Sequence, residues 1–205
     1  MEILVRSARV SEQAALGALK LAASLAWADH VEEIRGLPDA GSIDDRTLAA
    51  AFVAEAEGAL AGFASLSFHG DQAELDDLFV DPRLWRHGFG AALLEGAARR
   101  TRFKGAQAIR VIANLRAEAF YRARGFVVVG EEDTLFARAR VMELRLRRLL
   151  PTRAESAGEK RDLKSVGAYT FFRTTTKEPS PCRASSIPPS PGARPRAATR
   201  PNSST

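Results

Sequence analysis

Apolar residues recur with two different spacings along residues 1–150: every second position in some segments and every third or fourth in others. The first spacing is typical of strands and the second of helices. The predicted strands are 2–6, 48–56, 60–68, 73–80, 108–113, 126–129 and 134–146. The predicted helices run from an N-cap at Ser11 to 28, from Gly90 to 102, and over 115–124, and the polar segment 29–46 has room for one short helix. Mixed strand and helix patterns predict one α/β (α+β) domain.

The strand at 73–80 carries three carboxylates among apolar residues. Strict alternation predicts that Glu74, Asp76, Leu78 and Val80 share one face of this strand and that Asp77 lies on the other.

The chain changes character near Pro151. Residues 1–150 hold 20 Lys/Arg and 21 Asp/Glu, whereas 151–205 hold 10 and 4, with eight of the ten prolines. We therefore predict a folded domain over 1–150 and a basic Pro/Ser/Arg-rich tail over 151–205 that is largely disordered. The body is nearly neutral, so we expect no specific nucleic-acid partner. The basic tail could contact phosphates or anionic surfaces nonspecifically, and a solvated tail without a partner is the alternative.

Composition narrows the class of protein further. One cysteine, Cys182, excludes an internal disulfide, and the three histidines lack the spacing of a metal site, so we expect no metal. No apolar run reaches the roughly 18 residues of a membrane span. Residues 1–5 lack the features of a signal peptide, and we expect a cytoplasmic, soluble protein with no membrane partner.

A small-residue turn lies between the strand at 73–80 and the next helix. It reads Arg86-His87-Gly88-Phe89-Gly90-Ala91. Backbone amides at such a helix N-terminus can bind an anion, although a Gly-x-Gly sequence also occurs in turns without a ligand. It is neither a dinucleotide fingerprint nor a Walker loop, because the third glycine and the Lys-Ser/Thr pair are missing.

A second motif follows about 20 residues later and reads Asn114-Leu115-Arg116-Ala117-Glu118-Ala119-Phe120-Tyr121-Arg122-Ala123-Arg124-Gly125-Phe126. In this order, the two motifs resemble those of the GCN5-related N-acetyltransferase (GNAT) family over about residues 1–148. One departure is that Trp85 stands at the Arg/Gln position of the family's turn, so Arg86 or Arg83 would supply the positive charge.

The resemblance implies a mixed, splayed central sheet with helices on both faces. It also implies acetyl-CoA as cosubstrate, its pyrophosphate on the glycine turn and its pantetheine arm paired with the main chain of the strand before that turn. The cofactor-binding residues so implied are Leu78, Phe79, Val80, Arg86, His87, Gly88, Phe89, Gly90, Ala91, Asn114 and Tyr121.

The implied reaction is direct attack by a neutral amine on the thioester in a ternary complex. The family's glutamate position matches Glu74, so Glu74 is the first candidate for the base and Asp76 the second. Tyr121 stands at the family's tyrosine position and is the candidate acid for the leaving thiolate. For Glu74 and Asp76 the alternative is a solvated carboxylate, and for Tyr121 it is an aromatic side chain that only packs.

The acceptor is expected to be a primary amine of a small molecule, a peptide N-terminus or a lysine. Its candidate contacts are Trp27, His30 and Phe68. The alternative function is a non-catalytic module on the same fold that binds acyl-CoA, or one whose basic tail tethers it to nucleic acid or an acidic partner. The sequence also leaves a homodimer open.

Overall fold

The computed structural model of the protein describes residues 2–146. The predicted tail and the boundary near Pro151 lie outside these residues. The strands are β1 (Leu4–Ser7), β2 (Ala51–Ala56), β3 (Ala59–His69), β4 (Gln72–Val80), β5 (Ala108–Ala113), β6 (Val127–Asp133) and β7 (Arg138–Arg145). The helices are α1 (Gln13–Leu25), α2 (Val31–Arg35), α3 (Asp45–Ala50), α4 (Phe89–Phe103) and α5 (Glu118–Arg122).

The strands form one mixed sheet in the order β1-β2-β3-β4-β5-β7-β6. The pair β4–β5 is parallel and the other pairs are antiparallel. The parallel ladder joins only residues 72–75 to 108–111. Beyond that point the two strands are no longer paired to each other, and this produces the predicted splay in the middle of the sheet.

Helices cover both faces of the sheet, which confirms the predicted fold class. One face packs on α4 and α5 through a cluster that includes Phe52, Leu75, Leu93 and Phe120. The other packs on α1 and α3 through a smaller cluster that includes Leu16, Leu48 and Phe79. Both clusters are buried. Burying apolar surface contributes about 25 cal/mol per Å² to the free energy of folding and is the main source of stability of such layers.

A β-bulge in β4 overturns the predicted strand faces. Ser65 of β3 lies opposite Asp77, whereas its neighbour Leu66 lies opposite Leu75, so Asp76 is an extra residue. The extra residue shifts the alternation by one position. Leu78 therefore packs with Leu75 on the α4 side, and Glu74 does not share a face with Leu78 and Val80 as alternation alone predicts.

Three element boundaries also differ from the sequence prediction. Leu48 belongs to α3 and not to the strand that follows it, because the Asp44 carboxylate caps a short helix by accepting from the Thr47 amide at 2.7 Å. Ser11 lies within a 3-10 turn before α1 and does not cap the helix. Residues 134–137 form the loop between β6 and β7, where the Thr134 amide donates to the Ala137 carbonyl.

Within residues 2–146 the longest helix, α4, has 15 residues. None of the helices described there is long and apolar enough to cross a membrane.

Candidate active site

The glycine turn presents the N-terminus of α4 at the open side of the sheet. Gly88 is the N-cap, with φ of +92°, a left-handed conformation that a side chain disfavours. No side chain caps this helix. Because the first four amides of any helix lack intrahelical acceptors, the amides of 88–91 point along the positive end of the helix dipole. This geometry fits a phosphate group.

The two arginines beside the turn differ in whether they form an ion pair. The Arg83 side chain forms an ion pair with Asp81, with 2.6 Å between Nη2 and Oδ2, and this contact lowers the pKa of the Asp81 carboxyl. Arg86 is exposed, has φ of +68°, and forms no ion pair with the carboxylates of residues 2–146. Of the two candidates for the positive charge, Arg86 is therefore the better placed. His87 is exposed and its Nδ1–H donates to the Trp85 carbonyl at 2.8 Å.

Trp85 contributes to the site although the sequence pattern gave it no role. Its indole Nε1–H donates to the Val80 carbonyl at 2.9 Å. Its ring packs against Trp27, with ring centroids 4.9 Å apart. This side chain thus links the end of β4 to the segment after α1. Where the family pattern has a cation, this chain has a tryptophan that makes a packing contact.

The turn, β4 and the second motif meet at Gly90. A Cβ placed on Gly90 would lie 3.3 Å from Phe120 Cζ and 3.9 Å from Val80 Cγ2. Asn114 follows β5 directly and caps the next 3-10 turn, where its side chain accepts from the Arg116 amide at 2.8 Å. The fold therefore brings together the two motifs that lie far apart in the sequence.

Tyr121 is fully buried, with 0% of its surface exposed. It lies in α5 and packs edge-on against Phe120 and Phe126, each with ring centroids 5.2 Å away. It belongs to the same apolar cluster as Leu78, on the α4 side of the sheet. Its surroundings are apolar, which strengthens any hydrogen bond that its hydroxyl makes.

The three carboxylates of β4 differ in environment. Glu74 is 7% exposed and lies opposite Ser67 in the sheet. Asp76, at the bulge, accepts from Ser67 Oγ at 3.2 Å. Asp77 accepts from Ser65 Oγ at 2.5 Å, and burial raises the pKa of this carboxyl. Asp76 is thus held by the Ser67 hydroxyl and Asp77 by the Ser65 hydroxyl.

The loop after α1 forms a wall next to the opening of the sheet. Asp29 binds Arg116 of the second motif, with 2.8 Å between Oδ2 and Nε, and the Arg116 guanidinium lies over the Trp27 ring at 5.7 Å. His30 stacks on Phe136 of the β6–β7 loop, with centroids 5.4 Å apart. The structure therefore joins Trp27 and His30 to the second motif and to the last hairpin. Arg116 and Phe136 carry no sequence signal that would predict these contacts.

Phe68 lies apart from this wall. It is opposite Ala73 in the sheet and lines a groove with Arg100 and Phe103 on the α4 side. Trp27 packs with the cluster on the α1 side. Phe68 is therefore not brought together with Trp27 and His30.

The fold is similar to those of several solved proteins. PaiA N-acetyltransferase of Thermoplasma acidophilum, in complex with coenzyme A, superposes with a TM-score of 0.56 at 20% identity, over 71% of this chain and 99% of that one. The putative acetyltransferase yncA of Salmonella typhimurium, with acetyl-CoA, gives 0.56 at 21% identity, over 75% and 99%.

N-acetylglutamate synthase of Neisseria gonorrhoeae, complexed with coenzyme A and N-acetyl-glutamate, gives a TM-score of 0.57 at 21% identity. The match covers 72% of this chain but only 36% of that synthase, so the chain spans about a third of its length. No curated protein matches the chain. The family model of the acetyltransferase (GNAT) family matches residues 20–126, which is 107 of the 205 residues. The chain belongs to the acetyltransferase (GNAT) family.

Proposed function

We propose that this acetyltransferase moves an acetyl group from acetyl-CoA to a primary amine by direct attack in a ternary complex. The observation that carries the proposal is the meeting of the glycine turn, β4 and α5 at Gly90, at the end of β4 that extends beyond its pairing with β5. The amides at the start of α4, the end of β4 that does not pair with β5, and the helix that carries Tyr121 are then grouped together.

Acetyl-CoA would be held mainly by main-chain groups. The amides of 88–91 bind the pyrophosphate, with Arg86 and His87 at the edge of the turn. Leu78, Phe79 and Val80 pair with the pantetheine arm as an added strand does. The fit rests on two observations: the left-handed Gly88 allows the tight turn, and the close packing of Gly90 on Phe120 leaves no room for a large side chain there.

The proton of the ammonium is taken by Glu74 or Asp76, directly or through water. The structure supports both candidates, because Ser67 lies opposite the first and donates to the second. The neutral amine then attacks the thioester carbon, whose carbonyl accepts from the amides of Phe79 or Val80.

Tyr121 gives a proton to the sulfur as the carbon–sulfur bond breaks and the amide bond forms. Its complete burial in the same cluster as Leu78 supports this role, because a hydroxyl in apolar surroundings forms a stronger hydrogen bond. A positioned general acid contributes about 10² to 10⁴ in rate.

The acceptor amine, of a small molecule, a peptide N-terminus or a lysine, would contact Trp27 and His30. The Trp27–Trp85 contact supports this placement, since it joins the acceptor wall to the end of β4. Phe68, on the other face, is not part of this proposal.

Two measurements test the proposal. Calorimetric titration of the protein with acetyl-CoA should detect binding, and no binding at about millimolar ligand contradicts it. A panel of amines, read by release of free thiol from acetyl-CoA, then identifies the acceptor class. Binding without thiol release for any amine in the panel would favour the non-catalytic acyl-CoA-binding alternative.

A further inference from the structure

A second concave site lies on the α4 side of the sheet, at the end of α4 opposite the glycine turn. It is an open groove of about 420 Å³. Its lining residues come from β1, α3, β2, β3 and the end of α4. They are Ser7, Arg46, Ala49, Ala50, Ala51, Leu66, Phe68, Arg100, Phe103 and Lys104.

The lining is mainly apolar, and two aromatic side chains stand exposed at it. Phe103 is 90% exposed and Phe68 is 37% exposed. Three alanines of the α3–β2 junction, Ala49, Ala50 and Ala51, also line the groove. Ligand pockets of small molecules are typically about 300–1,000 Å³, apolar, with a few polar groups that fix orientation. This groove has the size and the chemistry of such a pocket.

The polar groups at the groove are of one sign. Arg46, Arg100 and Lys104 line it, and none of them forms an ion pair with a carboxylate of residues 2–146. The Asp44 carboxylate partly compensates the charge of Arg46. Arg100 and Lys104 present positive charge next to the apolar surface of the groove.

Arg100 is the cation held most firmly. Its guanidinium lies 4.1 Å from the centroid of the Phe52 ring, and Nη1 donates to the Gly96 carbonyl at 3.4 Å. Burial and the neighbouring Arg99 lower its pKa, which means that the charged form is poorly compensated where it stands. An anion in the groove would compensate it.

We infer that this groove binds a small organic acid with an apolar body, a carboxylate on an aliphatic or aromatic frame. The carboxylate lies between Arg100, Arg46 and Lys104, and the body lies on Leu66 and between the two phenylalanines. The chain's own residues 151–205 are a poor occupant, because they carry 10 Lys/Arg against 4 Asp/Glu and would meet like charge. The inference does not depend on the proposed acetyl transfer.

The experiment is calorimetric titration of the full chain with octanoate, octan-1-ol and acetate. These probes separate the contributions of the charge and of the apolar body. Octanoate should bind about tenfold more tightly than either of the other two. Added coenzyme A should leave octanoate binding unchanged, since the glycine turn lies at the other end of α4.

Matched variants locate the binding. Lys104→Glu reverses a charge that lines the groove and should weaken octanoate about fivefold or more. Arg102→Glu reverses an exposed charge two residues away that does not line it and should change binding less than about twofold. Ala49→Phe fills the groove from an exposed position and should abolish binding, with circular dichroism as the check on folding.

Four results would overturn the inference. They are no binding of octanoate, equal affinity for octanol and octanoate, equal losses at Lys104→Glu and Arg102→Glu, and displacement of octanoate by coenzyme A. The last would place the probe in the glycine-turn site.

Discussion

Gly17, inside α1, should not tolerate even a methyl group. A Cβ at this position would lie 2.2 Å from the Gly41 carbonyl oxygen and 2.9 Å from both Gly41 C and Ser42 Cα. All three are backbone atoms, so no side-chain rotation can relieve the contact. Gly17→Ala therefore forces α1 and the segment at 41–42 apart.

Two effects of opposite sign determine the result. Alanine is favoured over glycine in a helix by about 1 kcal/mol. Overpacking a buried contact costs about 1–3 kcal/mol, and a contact that must open by more than about 1 Å falls at the upper end. We expect a net loss of about 2 kcal/mol in the free energy of unfolding, or a decrease in Tm of about 4–10 °C for a domain of this size.

Thermal unfolding followed by circular dichroism measures this effect. The matched control is Ala18→Gly, the next residue of the same helix, which is exposed and should lose about 1 kcal/mol by propensity alone. The two substitutions are chemical opposites, yet both should lower Tm. A Gly17→Ala variant with a raised Tm would show that helix propensity dominates and that the close approach of α1 to Gly41 does not determine the packing.

Four further results are expected. Tyr121→Phe should lower kcat by about 10²-fold or more while the Kd for acetyl-CoA changes little, and near-full turnover when chemistry limits the rate would exclude the acid role. Glu74→Gln should lose rate mainly at low pH, where the amine is protonated, and pH–rate profiles of this variant and of Asp76→Asn would show which of the two carboxylates is the base. Burial raises the pKa of Asp77 above its ordinary 3.8, so the protonated carboxyl contributes stability below pH 3.8, and this contribution is lost as pH rises through the raised value. Asp77→Asn should therefore raise Tm near about pH 8 and lose that gain near about pH 3. An equal effect at both pH values would contradict the raised pKa of Asp77. Trp85→Phe removes the indole donor 2.9 Å from the strand-end carbonyl and should weaken acetyl-CoA binding about fivefold in calorimetry, the value of one hydrogen bond, whereas an unchanged Kd would mean that this contact does not hold the strand for the ligand.

Local pattern was sufficient for most of the elements and for the family. β5 is found at the predicted residues, and the glycine turn lies between β4 and α4 as predicted. Such features depend on neighbours in the chain, because periodicity and turn chemistry act over a few residues. The short helix α3 was missed although Asp44 offered a capping signal, since the following apolar residues fit either type of element.

Contacts between distant segments required the tertiary structure. The bulge at Asp76 depends on how many residues β3 places opposite β4, and it moved Glu74 off the face of Leu78. The same holds for Phe68, whose side of the sheet follows from its pairing with Ala73, and for the Trp27–Trp85 contact, which joins residues 58 positions apart. A sequence specifies what each residue can do chemically. Which residues act together is decided by the register of strands and by packing across the sheet, and these depend on segments far apart in the chain.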